Sequence, residues 1–480
     1  MRLVLVCLAL LVSACGAGRH AMLDRLHPCR IDEGPTDAFC GTLQVFENRA
    51  SQVGRTIGLK IVVAPALRRD ARPDPLFVFE GGPGGGAATL ANERVPMFRR
   101  FQTDRDIVLV DQRGTGASNP LDCSPFLPED DDVHALDNYP TERYRTCLER
   151  LKADPRLYTT AIAMDDIDDV RAFLGYPQIN LWGGSYGTRA ALVYLKRHEA
   201  SVRAVVLDGV APTDMRLPLY MARDSQRALD RLLDDCAREA SCAREFPQLR
   251  ETVAALWKTL AARPTIQLTH PRTGRIEPVA LSHRLIAAAV FQALYSPEVA
   301  SLLPRLLTDA AAGHFQGLFA LAYSRNLPKG AMSDGMFLSV VCAEDVPRIT
   351  ADDIERESAD RFIGTALFDT QLQPCAFWPR GTVTDDYYAP VTADRPVLLL
   401  SGADDPVTPP SWAEHVAASL PRAKHLVVPG AGHITLTRGC VPQLVATFLE
   451  TARVDSIDGA CLASLARPPF FSGYTGASLP

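Results

Sequence analysis

Leu181-Trp182-Gly183-Gly184-Ser185-Tyr186-Gly187 follows the apolar run Gln178-Ile179-Asn180-Leu181 and opens a helical pattern from Thr188 to Leu195. The order is strand, Gly-x-Ser-x-Gly, helix. The flanking glycines remove Cβ atoms where a sharp strand-to-helix turn crowds the backbone, so the serine can take a strained conformation with Oγ exposed at the sheet's edge. The helix behind it aims free N–H groups at the same spot, where an oxyanion would develop. Taken alone, the five residues also fit a glycine-rich turn with a surface serine, so the reading rests on whether the rest of the chain agrees.

Upstream, Gly41 to Phe46 and Ile57 to Val63 read as an antiparallel hairpin. Pro75-Leu76-Phe77-Val78-Phe79 is a continuous apolar run of the kind buried in a parallel sheet, and it leads into Glu80-Gly81-Gly82-Pro83-Gly84-Gly85-Gly86. A glycine-rich turn after a strand leaves N–H groups free for a phosphate or an oxyanion. No Gly-Lys-Ser/Thr ending follows, so the oxyanion reading leads. Asp106 to Val110 is the next buried strand, ending in Asp111-Gln112-Arg113-Gly114-Thr115-Gly116. Charges there need partners, and Asp111 with Arg113 is read as bracing the loops near the site. Glu129 to Asp132 reads as a solvated loop, Asp165 to Leu174 as a helix, and Val202 to Leu207 as another buried strand.

From about Thr213 to Val391 the pattern is mostly helical, as in Ser225 to Ala237 and Leu249 to Ala262. Strands resume at Val397 to Leu400, so the middle block is read as a helical cap inserted over the serine. Two signals follow. The strand ending at Leu400 leads to Asp404-Asp405-Pro406-Val407-Thr408-Pro409, and the strand Lys424 to Val428 leads to Pro429-Gly430-Ala431-Gly432-His433. An acid and then a histidine, each just past a late strand, complete the chain order Ser, Asp, His. His198 and His415 lie inside helical patterns and lack that context.

Residues Met1 to Leu11 carry one arginine and an apolar run too short to span a bilayer core of about 30 Å, which reads as a signal peptide. The run ends in Val12-Ser13-Ala14-Cys15, similar to the lipobox of bacterial lipoproteins, so Cys15 is the expected lipidation site. Gly16 beside it favours the outer membrane, facing the periplasm; plain secretion is the alternative. Any membrane association is expected through this anchor alone. A net charge of −6 without a basic block gives no footprint for nucleic acid.

Of 12 cysteines, ten remain once Cys7 and Cys15 are set aside. They fall as near neighbours: Cys29 and Cys40, Cys123 and Cys147, Cys236 and Cys242, Cys342 and Cys375, Cys440 and Cys461. An even number behind a leader argues for disulfides in an oxidising compartment, with the connectivity left open. Neither C-x₂-C nor H-E-x-x-H occurs, so no metal and no cofactor are expected.

Together, Glu80-Gly81-Gly82-Pro83-Gly84-Gly85, Asp111-Gln112-Arg113-Gly114-Thr115-Gly116, Gly183-Gly184-Ser185-Tyr186-Gly187, Asp405-Pro406-Val407-Thr408-Pro409 and Gly430-Ala431-Gly432-His433 resemble the proline iminopeptidase and tripeptidyl aminopeptidase group of α/β-hydrolases. The likeness runs from about Cys40 to Cys461; Thr188 and the Cys440 and Cys461 segment look like the tripeptidyl branch. One departure is Glu80, where the iminopeptidase pattern has histidine. The resemblance implies an α/β fold: a mostly parallel eight-stranded sheet flanked by helices, with an inserted, mostly helical cap. The expected divisions are a leader over 1–15, a tether over 16–39, core over 40–212, cap over 213–390 and core again over 391–480. Ser185 is the implied nucleophile, His433 the base and Asp405 the orienting acid, preferred over Asp404 because it directly precedes Pro-Val-Thr-Pro. The N–H groups of Tyr186 and Gly82 are the implied oxyanion hole.

The implied substrates are peptides cut near a free N-terminus, whose ammonium needs buried acidic partners. Glu344 and Asp345, in Val341-Cys342-Ala343-Glu344-Asp345-Val346-Pro347, are the expected anchor, with Glu80 a further one unless it braces Arg113. An esterase or lipase is the rival, since one triad cleaves esters and amides alike. A non-catalytic binding protein on this fold would usually lack a triad member, and none is missing here. The number of residues released and the oligomeric state are left open.

Overall fold

The computed structural model describes residues 25–31, 37–126, 141–323 and 331–473. The leader, Cys15 and the acidic stretch Glu129 to Asp132 lie outside them. The strands are β1 (His27–Arg30), β2 (Asp37–Phe46), β3 (Thr56–Ala64), β4 (Leu76–Phe79), β5 (Ile107–Val110), β6 (Ile179–Gly184), β7 (Val202–Asp208), β8 (Thr265–Thr269), β9 (Ile276–Ala280), β10 (Val397–Gly402) and β11 (Ala423–Val428). Nine form one sheet in the order β1-β2-β3-β5-β4-β6-β7-β10-β11. Pairing is antiparallel from β1 to β5 and parallel from there to β11.

The sheet has one strand more than the expected eight. The extra strand is β1, within the segment read as a tether. The Cys29–Cys40 disulfide ties it to β2, where His27 to Arg30 run opposite Cys40 to Asp37. Four residues with one half-buried side chain carry little hydrophobic pattern, which is why the strand is silent in the sequence.

Alternate side chains along the parallel strands face opposite ways. Phe77, Phe79, Leu181, Val205, Leu207 and Leu399 pack with helices α2 (Thr160–Leu174) and α3 (Tyr186–Arg197), while Leu76, Val78, Trp182, Val206 and Leu400 pack with α1 (Ala91–Gln102) and α7 (Val441–Thr451). Burial on both sides explains why these strands read as unbroken apolar runs. Because β5 and β6 lie on opposite sides of β4, the loops leaving β4 and β6 splay apart and open a crevice at their carboxyl ends. The glycine loop and the serine turn are those two loops.

The cap has a core of its own, built around α4 (Met221–Arg238) and α5 (His283–Leu294), with Leu229, Leu232, Ile286 and Val290 among its members. Val407 from the acid loop and Phe470 from the C-terminal segment insert into it. It is not wholly helical: β8 and β9 form a small antiparallel ribbon. Nor does it extend as one body to residue 390. Met336 and Val340 on α6 (Asp334–Glu344), and Tyr387 after it, pack into the sheet's core beside α2 and α3. All ten cysteines are paired with their near neighbours. Among the described residues no helix is long and apolar enough to cross a membrane.

Candidate active site

Ser185 sits between β6 and α3 with φ 56° and ψ −127°, a region that residues with a Cβ avoid. The glycines around it are a steric requirement. A Cβ on Gly183 would lie 2.2 Å from the Gly187 carbonyl oxygen, and one on Gly187 would lie 2.1 Å from that of Phe79. The turn is held by Ser185 N–H donating to the Asp208 carbonyl at 3.0 Å and by Thr188 Oγ1 donating to the Ser185 carbonyl at 2.6 Å. Ser185 remains partly exposed, and Tyr186 begins the helix, where N–H groups have no intrahelical acceptor.

The glycine loop after β4 crosses in front of this turn. Gly81 is the residue in contact: a Cβ there would stand 3.1 Å from Ser185 Cβ and 3.6 Å from its Oγ. Gly82, at φ +117°, follows it and faces Met332, whose Sδ would lie 2.9 Å from an added Cβ. Gly86 N–H donates to Ala331 O at 3.3 Å and Ser333 N–H to Gly84 O at 3.0 Å, so segment 331–333 backs the loop. From below, Asp111 accepts from Thr89 N–H and Ala117 N–H at 2.9 and 2.8 Å, which fits its reading as a brace.

His433 and Asp405 meet beside the serine turn. His433 Nδ1 lies 2.8 Å from Asp405 Oδ2, and Asp405 is wholly buried. Its other acceptor sites are filled by Val407 N–H at 2.9 Å, Thr408 N–H at 2.8 Å and Thr408 Oγ1 at 2.7 Å. Burial alone would raise the carboxyl's pKa, but the attraction of His433 and these hydrogen bonds outweigh it and hold it below the ordinary value. Asp405 is thus an anion at neutral pH. Asp404 is directed away, its Oδ1 2.9 Å from Arg231 Nε on α4. Ser185 Oγ and His433 are not hydrogen-bonded to each other here, and such contacts often tighten only with substrate.

The cap reaches this machinery directly. Arg227 on α4 donates to the Asp405 carbonyl at 2.7 Å. The Tyr295 carbonyl, just past α5, accepts His433 N–H at 3.0 Å, and its ring meets the imidazole edge-on with centroids 5.2 Å apart. Thr408, Arg227 and Tyr295 were not singled out by any local sequence signal. Thr408 lay inside the motif that located Asp405, whereas the other two act across long sequence separations.

A family model described as an alpha/beta hydrolase fold matches residues 74–437. The chain belongs to the α/β-hydrolase family. Serine protease Hip1 of Mycobacterium tuberculosis is 24% identical over 459 residues, covering 88% of this chain and 88% of that protein. Tripeptidyl aminopeptidase of Streptomyces lividans is 25% identical over 461 residues, covering 89% of this chain and 84% of that one. Proline iminopeptidase of Arabidopsis thaliana is 34% identical over 146 residues, covering 30% and 28%.

In this α/β-hydrolase the carboxylates expected to anchor a substrate ammonium are all engaged internally. Glu344 is wholly buried and caps α2, accepting from Thr160 N–H at 2.7 Å and Thr160 Oγ1 at 2.9 Å; the Tyr387 hydroxyl donates to it as well. Asp345, equally buried, pairs with Arg189 on α3, whose Nη1 lies 3.0 and 2.9 Å from its two oxygens. Burial raises both carboxyl pKa values although Arg189 opposes the shift. Glu80 does not brace Arg113 but pairs with Arg94, Oε2 to Nη2 at 2.9 Å. Arg113 is held instead by Asp166, at 2.6 and 2.9 Å. Glu344 and Asp345 find these partners 184 and 156 residues away, and Glu80 finds its own 14 residues on. Among the described residues no group of three or more His, Cys, Asp or Glu is arranged to hold a metal ion.

Proposed function

We propose that this enzyme is an exported serine peptidase that cleaves peptide bonds near a free N-terminus. Ser185 Oγ attacks the scissile carbonyl, His433 takes the proton and returns it to the leaving amine, and Asp405 fixes the imidazole and stabilises its charged form. The N–H groups of Tyr186 and Gly82 receive the oxyanion. Water then releases the acyl group by the same route.

The observation carrying this reading is the 2.8 Å contact of His433 with a buried, anionic Asp405, on loops at the same sheet edge as the strained Ser185 turn. The names of the relatives, a serine protease and a tripeptidyl aminopeptidase that both align along most of the chain, support peptides as substrates. Export is supported by the leader and by five disulfides, which persist in oxidising compartments. Lipidation of Cys15 would tether the enzyme to the periplasmic face of the outer membrane.

A second reading, an ester hydrolase, is favoured by one observation: Glu80, Glu344 and Asp345 are all paired within the protein, leaving none of them free for an ammonium. Chromogenic amides of one to three residues, with free and with blocked N-termini, separate the two alongside matched esters. The proposal expects free-N-terminus amides to be cleaved at least about tenfold faster than blocked ones, because losing a charge partner costs more than about 1.4 kcal/mol. Ester turnover without amide turnover would select the second reading.

A further inference from the structure

We propose that Asp208 is a positioning residue that holds the nucleophile turn and the histidine loop in register, an inference that rests on the serine-hydrolase reading above. Asp208 closes β7 and is wholly buried. Its carboxylate has no salt-bridge partner within 4 Å among the described residues; it is spent on Thr435 and Leu436, two and three residues past His433. Thr435 N–H lies 2.9 and 3.0 Å from its two oxygens, Thr435 Oγ1 donates at 3.0 Å, and Leu436 N–H donates at 2.8 Å. Its main chain faces the other way, accepting Ser185 N–H at 3.0 Å. One residue thus holds the backbone of the nucleophile and that of the segment just beyond the base.

Both halves need holding. Ser185 has φ 56°, and Ile434, directly after the histidine, has φ 71°. A β-branched residue in the left-handed region is a genuine outlier that persists only when its surroundings over-determine it. Asp208 captures the next two N–H groups after Ile434 and so fixes the turn that aims the imidazole. A charged acceptor makes such bonds short and strong. Gly209 completes the arrangement: at φ 70° it lets the chain pass the ring, where an added Cβ would be 3.2 Å from His433 Cε1. Burial pushes the Asp208 carboxyl up to about 6 against the pull of these hydrogen bonds, so the fold bears a cost for keeping an acid here.

The test measures p-nitrophenyl butyrate turnover, which needs the nucleophile, base and oxyanion hole but no peptide anchor, in wild type, Asp208→Ala, Asp208→Asn, Ile434→Gly and the Asp208→Ala/Ile434→Gly double variant. Wild type without ester turnover would refute the serine-hydrolase reading and this proposal with it. Given an active wild type, Asp208→Ala should lower kcat about 10²-fold with KM within about threefold, as expected when a base is misplaced and binding is not. Asp208→Asn, which keeps an acceptor oxygen, should retain kcat to within about tenfold. In the Ile434→Gly background, where the left-handed turn needs no clamp, the loss from Asp208→Ala should shrink to about tenfold or less. If Asp208→Ala does not fold, Asp208→Asn and Thr435→Val decide: each should lower kcat about threefold or more at unchanged KM. A merely structural role would leave kcat of the folded variants within about twofold of wild type and lower only the melting temperature, or give equal losses in both Ile434 backgrounds, and either result overturns the proposal.

Discussion

Arg231 Nε lies 2.9 Å from Asp404 Oδ1, and that pair removes Asp404 from the histidine. The adjacent Asp405 is left to accept His433 Nδ1–H. Asp405→Asn should therefore lower kcat on the order of 10⁴-fold, as loss of an orienting acid does elsewhere, while Asp404→Asn breaks a partly exposed ion pair and should cost less than about threefold. Steady-state kinetics on one amide substrate check both. A larger loss from Asp404→Asn would reverse the assignment.

The network of Arg189, Asp345, Glu344 and Thr160 joins α6 to α2 and α3 in a region closed to water. Arg189→Met leaves buried Asp345 with only Arg348, 3.5 Å away, and should destabilise the fold by about 3 kcal/mol. Glu344→Gln weakens the cap on α2 and should lower amide and ester turnover in equal proportion. Chemical denaturation and the ratio of the two activities test this. A loss confined to substrates with a free N-terminus would restore Glu344 as a substrate anchor.

Asp208 and Asp405 contribute to pH stability with opposite signs. The Asp208 carboxyl sits at about 6 in the fold against about 4 in an unfolded chain, so its contribution is full below about pH 4 and is lost as pH rises through about 6. Asp405 is shifted downward, so its contribution is present above about pH 4 and lost as pH falls. His433 faces both carboxylates, and Asp208→Asn leaves it and Asp405 in place. The melting temperature of Asp208→Asn relative to wild type should then rise between about pH 4 and pH 7. A difference that stays flat across this range would contradict the shift.

Cys15 should carry the lipid. Mass spectrometry of the mature N-terminus is expected to find an acylated Cys15 followed by Gly16. A mature chain that starts beyond Cys15 without modification would mean ordinary secretion.

The loops carrying Ser185, Asp405 and His433 were legible because each follows a buried strand, and a buried strand followed by Gly-x-Ser-x-Gly, Asp-Pro-Val-Thr-Pro or Gly-Ala-Gly-His is a local signal. The sheet was legible for the same reason, apart from β1, whose four residues are held by a disulfide and not by an apolar pattern. Long-range pairing was not legible. Glu344 accepts from Thr160 across 184 residues, and Arg189 meets Asp345 across 156, so nothing near either acid announces its partner. Helix α2 illustrates the same limit: it begins at Thr160, five residues before the expected Asp165, because a distant glutamate caps it. Asp208 could have been singled out by the reasoning applied to Asp111, a charge at the end of a buried strand; its partners, on the far side of the cap, could not.

Amide cleavage in the proposed function depends first on Ser185 as the nucleophile. The most direct measurement is kcat/KM of Ser185→Ala against wild type on a chromogenic tripeptide amide with a free N-terminus, with matching circular dichroism of the two proteins. The account predicts a loss on the order of 10⁴-fold or more in a folded protein. Activity within about tenfold of wild type would contradict it, since no bystander at that turn would leave so much of the reaction intact.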